Sequence, residues 1–140
     1  MNEIRIRRLE THATLPTRAH PGDAGLDLYA LETFTVAPGA GLRARTGVAL
    51  EIEPGWVGMI ADRSSLASRG LKTAGGIIDA GYRGEVQVVL WNLSREAITL
   101  RPGDRIAQML LLPVGLAAVR EVSELSDSSR GAGGFGSSGR

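Results

Sequence analysis

In Gly75-Gly-Ile-Ile-Asp79-Ala-Gly-Tyr82-Arg-Gly-Glu-Val86, apolar strand ends flank an Asp-Ala-Gly turn. The pattern predicts a β-hairpin with a carboxylate at its corner. Asp79 then has two readings. It is a turn residue that bonds its own backbone, or it is a base that takes a proton from water attacking a phosphate ester. Tyr82 is equally open, either packing on a sheet or serving as a platform for a flat or sugar-like ligand. Arg63-Ser64-Ser65 puts a guanidinium, two hydroxyls and backbone N–H groups at the start of a short helix-tolerant stretch. Such a place suits N-capping and suits an anion. Asp27 alternates with leucines in Ala24-Gly-Leu-Asp-Leu-Tyr-Ala30 and faces away from them on a strand, as a solvated or paired carboxylate. Gln108, in the strand after the Pro102-Gly103 turn, reads as a structural amide. The run Arg130-Gly-Ala-Gly-Gly-Phe135-Gly-Ser-Ser-Gly-Arg140 reads as a linker or as a phosphate-wrapping flap. Phe135 favours the flap, because a solvated linker has no use for a lone aromatic, whereas a lid over a base could stack it.

The elements that must position these residues are strands. Apolar residues recur at period two, as in Ile4 and Ile6, Phe34 and Val36, Val48, Leu50 and Ile52, and Val86, Val88 and Leu90. Pro-Gly pairs at 21–22, 38–39, 54–55 and 102–103 predict sharp reversals in which proline presets φ and glycine allows a positive one. Many short strands between such turns predict an all-β sandwich, barrel or jelly roll. Ser64 to Gly70, with hydroxyl caps and a glycine stop, predicts a turn or two of helix. From Ser126 the chain turns to Ser, Gly and Arg, so the division expected is a domain over 1–125 and a flexible arm over 126–140.

Composition narrows the function classes. A chain of 140 residues suits one domain. With two each of Phe, Tyr and Trp, its core must be built from aliphatic side chains. Sixteen basic and fifteen acidic residues leave a net charge of +1, which supplies no field for non-specific nucleic-acid or membrane binding. Having no cysteine, the chain has neither disulfides nor thiolate chemistry. His12 and His20 have no metal-site spacing. The first ten residues lack the apolar core of a secretory signal, and the longest apolar stretch, Met109 to Val119, is half a membrane span. The expectation is a soluble cytoplasmic protein without nucleic-acid or membrane partners.

AGLDLYA, RSSLASRG, GGIIDAGYRGEV, GDRIAQM and RGAGGFGSSG follow one another between residues 24 and 139. In that order they resemble the five motifs of the homotrimeric dUTPase family. The resemblance implies a distorted jelly-roll-like β-barrel and hydrolysis of dUTP to dUMP and pyrophosphate. It also implies a homotrimer with three sites at subunit interfaces, each closed by the C-terminal arm of another subunit. Asp79 matches the family's general base. Thr73, Ile77, Ile78 and the backbone near Gln87 are implied around uracil, with Tyr82 under the sugar. Clash then rejects the 5-methyl of thymine and a 2′-hydroxyl. Arg63, Ser64, Ser65 and Gln108 are implied on the phosphate side. From the arm, Arg130 is implied at the γ-phosphate, Phe135 on the base, and Gly136 and Ser137 as donors to phosphates. Mg²⁺ is implied across the three phosphates, with Asp27 acting on it indirectly, through water or an arginine. Ser65 departs from the family's usual second motif, standing where glycine is common and where dCTP deaminases carry serine.

Two other readings compete. A dCTP deaminase needs a catalytic glutamate on the strand after the hairpin, and alignment on Tyr82-Arg-Gly84 puts Val89 there, which cannot move protons. A non-catalytic nucleotide-binding trimer is expected to have lost its base, an arginine or its arm, and this sequence keeps all three.

Overall fold

The computed structural model describes residues 1–136 and 138–139. Ser137, named above as a phosphate donor, lies outside the described residues. The elements are β1 (Arg5–Arg8), β2 (Leu26–Tyr29), β3 (Phe34–Val36), β4 (Gly41–Glu51), β5 (Trp56–Ala61), α1 (Ser64–Ala67), β6 (Leu71–Ala74), β7 (Ile77–Asp79), β8 (Glu85–Asn92), β9 (Ile98–Leu100) and β10 (Arg105–Pro113). Two four-stranded sheets, in the orders β1-β4-β8-β6 and β2-β10-β5-β7, and the β3-β9 ribbon make up the all-β, jelly-roll-like architecture. No helix among the described residues is long and apolar enough to cross a membrane.

Period-two patterning turns one face of each strand inward. In β8, Val86, Val88 and Leu90 are buried while Glu85, Gln87 and Val89 are only half-buried. The core is aliphatic, as composition requires. Leu28, Ile52, Leu71, Leu90 and Ile106 are among its fully buried side chains, each contributing about 1.5–3 kcal/mol. Two polar residues, Thr46 and Asn92, are buried as deeply. Asn92, fully buried, donates to the carbonyls of Val36 and Glu96 and accepts from the N–H and hydroxyl of Ser94. With its amide satisfied, it ties the β8–β9 turn to β3 rather than costing desolvation energy.

The Pro-Gly pairs all close turns, with backbone bonds Asp23 to His20, Ala40 to Ala37, Trp56 to Glu53 and Asp104 to Arg101. Gly39, Gly55 and Gly103 have the expected positive φ. Gly22 does not share it, so the first turn reverses without using the left-handed region that glycine offers.

Two local expectations are corrected. The segment from Gly75 to Val86 is not a hairpin, because β7 pairs with β5 in one sheet and β8 pairs with β4 and β6 in the other. Asp79 therefore ends a strand at a turn between sheets, closed by the Tyr82 N–H on the Asp79 carbonyl at 3.0 Å. Helix α1 forms where expected, but its N-cap is Arg63 and no side chain caps it. The hydroxyls of Ser64 and Ser65 are thereby left exposed.

After β10 no described residue is helical or in a strand. Leu116, Val119 and Leu125 are more than four-fifths exposed there.

Candidate active site

A cleft of about 430 Å³ opens between the loop before β2, the start of α1 and β10. Asp27, Arg63, Ser64, Ser65 and Gln108 line it together. Antiparallel pairing sets Gln108 opposite Asp27 on one side and Ala61 on the other, so register brings three distant segments to one place. The Asp27 carboxylate is largely buried between two guanidiniums, 3.5 Å from Arg63 Nε and 3.6 Å from Arg105 Nε. Asp23 lines the cleft as well, so two arginines and two aspartates balance in formal charge, and the guanidiniums beside Asp27 still offer N–H donors to an anion. The N–H groups of Ser64 and Ser65 precede the first helical bond, made by Leu66 to Arg63, and among the described residues neither donates to a backbone carbonyl. Gln108 donates its amide to the Asp62 carbonyl at 2.8 Å. Its Oε1 lies so close to Gly25 that a Cβ there would come within 2.1 Å.

A second cleft, of about 240 Å³, is lined by Arg43, Ile77, Ile78, Asp79, Tyr82, Glu85 and Gln87. The Asp79 side chain is exposed in it, and among the described residues no ion pair or side-chain hydrogen bond engages its carboxylate. A carboxylate so placed is free to accept a proton from water. The Tyr82 hydroxyl donates to the Glu85 carbonyl at 2.8 Å, laying the ring over Gly84. There a Cβ would come within 2.7 Å of the ring carbon Cζ. The phenol is held by this bond and remains about half exposed.

These two clefts share no lining residue. The remaining residues singled out from sequence lie elsewhere. Thr73 lines neither cleft, and its N–H and hydroxyl are both taken by the Asp62 carboxylate, at 2.7 and 2.6 Å. Arg130 bonds within its own turn, to the Gly133 carbonyl, while Phe135 is fully exposed and Gly136 lies beside it in the tail. Sequence reasoning passed over Arg105, Asp62 and Arg43. Arg105 had a signal, since it stands three residues before Gln108 within GDRIAQM. Asp62 and Arg43 had none, because their neighbours come from other strands.

A dUTPase family model matches residues 11–139. The chain belongs to the dUTPase family. It is 49% identical over 143 residues to the deoxyuridine 5′-triphosphate nucleotidohydrolase of Nocardia farcinica, covering 99% of this chain and 87% of that protein. Its fold superposes on a Staphylococcus bacteriophage 80alpha dUTPase with dUPNHPP at a TM-score of 0.95 and 30% identity, covering 100% of both chains. A phage phi11 dUTPase from S. aureus, in a structure concerned with coordination of a structural Mg(II) ion, matches at a TM-score of 0.82 and 27% identity, covering 88% of this chain and 98% of that one. This dUTPase is an enzyme that hydrolyses dUTP to dUMP and pyrophosphate. Its two clefts differ in lining, one holding Arg63, Arg105, Ser64 and Ser65, the other the exposed Asp79 and Tyr82.

Proposed function

We propose that dUTP is hydrolysed in a site shared between subunits of a homotrimer, one subunit supplying the Asp79 cleft and another the Arg63 cleft. The observation that carries this reading is the separation of the two clefts within one chain, each holding half of the required chemistry. The exposed apolar residues after β10 support it, since Leu116, Val119 and Leu125 gain by covering from another subunit. In this reading residues 1–125 are the barrel domain and residues 126–140 the closing arm of a cytoplasmic enzyme.

In the Asp79 cleft, backbone groups near Ile77, Ile78 and Gln87 receive uracil, and Tyr82 lies under the deoxyribose, where a 2′-hydroxyl would clash. Thr73 does not line this cleft, and its N–H and hydroxyl are held by Asp62. Asp79 accepts a proton from water as the water oxygen bonds to the α-phosphorus in line. The bond from phosphorus to the α–β bridging oxygen breaks, and its electron pair leaves with pyrophosphate. Arg63 and the hydroxyls of Ser64 and Ser65 meet the charge that develops on the leaving side, with Gln108 orienting that wall. Closure of the arm brings Arg130 to the γ-phosphate, Phe135 onto the base and Gly136 and Ser137 to the phosphates, excluding bulk water.

Among the described residues no group of three or more His, Asp or Glu side chains could cage a metal ion. Asp27 alone, already between two arginines, fits a cation held mainly by phosphates and waters, which is how Mg²⁺ is bound in phosphoryl-transfer sites. Asp27 would act on it through water. Bound there, Mg²⁺ would supply charge neutralisation across the triphosphate.

Mixing Asp79→Asn with Arg63→Gln tests the shared site. Each variant alone is expected to be inactive. Trimers reassembled from equal amounts are expected to recover about one quarter of wild-type turnover, the fraction of sites drawing both intact residues from different subunits. No recovery in verified mixed trimers would sink the reading.

A further inference from the structure

Asp62 lines neither cleft, yet three residues from two other strands converge on it. It follows the last residue of β5 and precedes Arg63. Its carbonyl accepts the Gln108 amide at 2.8 Å. Its carboxylate accepts the Thr73 N–H at 2.7 Å, the Thr73 hydroxyl at 2.6 Å and the Lys72 ammonium at 2.5 Å. Burial pushes this carboxyl up, but the hydrogen bonds from Lys72 and Thr73 outweigh it and hold it below the ordinary range. A carboxylate next to Arg63 would by itself oppose an anion in the neighbouring cleft. Lys72, on β6, neutralises that charge while leaving the hydrogen bonds intact.

We propose that Asp62 and Lys72 are a positioning pair for the phosphate side of the site. Asp62 ties the Arg63–Ser64–Ser65 turn and the Gln108 amide to β6, and Lys72 keeps the tie from repelling the substrate. The proposal rests on the reading that Arg63, Ser64 and Gln108 meet the phosphates. It differs from a purely structural role in what it predicts for the two halves of the ligand.

The test compares Asp62→Asn, Lys72→Met and the double variant, as full-length enzyme. The readouts are kcat and KM for dUTP and the inhibition constants of pyrophosphate and deoxyuridine, at low and high salt. Asp62→Asn adds a net positive charge, which alone would lower the KM for dUTP. Loss of positioning instead raises that KM and the pyrophosphate constant by about tenfold, with deoxyuridine unmoved. Lys72→Met is expected to raise the KM most at low salt, where the uncompensated carboxylate is least screened. The double variant then matches Asp62→Asn rather than summing the two losses. A lowered or unchanged KM in Asp62→Asn overturns the proposal, and so does an equal rise for deoxyuridine. Arg63→Gln serves as the control, read by equilibrium binding of dUTP and pyrophosphate because it is not expected to turn over. If it binds both as the wild type does, the phosphate reading itself falls, and the pair with it.

Discussion

Asp79 and Asp62 are both carboxylates at strand ends, but their surroundings give them opposite properties. Asp79 is exposed, and among the described residues no side-chain partner engages its carboxylate. The Asp62 carboxylate receives three hydrogen bonds, one of them from the Lys72 ammonium, which holds it ionised. The Asp62 contribution to stability therefore has a definite sign. Its folded carboxyl titrates below the unfolded one, so the stabilisation is complete above the unfolded pKa and is lost as pH falls through the folded value. Urea midpoints at about pH 7 and about pH 3 are expected to fall further apart for the wild type than for Asp62→Asn. An identical acid loss in both would refute this. Neither property could be read from residue type, because Asp62 owes its state to Lys72 and Thr73, ten and eleven positions away on another strand.

At the scale of elements, the turn from β7 to β8 matters most, since it passes between sheets and carries Asp79 and Tyr82 together. The local pattern predicted two strands and a turn, and those are present. It could not show that the strands pair elsewhere, because apolar strand ends look alike whichever neighbour they meet. The turn depends on Gly84, over which the Tyr82 ring lies. Gly84→Ala is expected to dislodge the ring, lower kcat/KM for dUTP by about tenfold and narrow its preference over UTP. The unfolding midpoint should shift little, because Gly84 is exposed. Retained discrimination against UTP would remove Tyr82 from sugar recognition. Helix α1 carries a parallel lesson. Ser64 and Ser65 suggested capping, whereas the backbone makes Arg63 the N-cap and frees both hydroxyls.

At the scale of the molecule, we propose that the arm over 126–140 is separable from the barrel. Truncation after Leu125 removes Arg130, Phe135 and Gly136 but no core residue. The shortened enzyme is expected to keep its unfolding midpoint and its number of subunits in solution while kcat/KM falls by about a hundredfold. Unchanged turnover would exclude the arm from the site. The sequence by itself determined the β class, the aliphatic core, the turns and the motif residues, because period-two patterning and turn chemistry are local properties. Family membership was equally legible, since five motifs in order along one short chain are more specific than any one of them. Only the tertiary structure decided that Asp27 lies between Arg63 and Arg105, that Asp62 gathers Lys72, Thr73 and Gln108, and that Asp79 and Arg63 line different clefts. Those relations depend on strand register and on which strands become neighbours, and these are settled by packing across the whole fold.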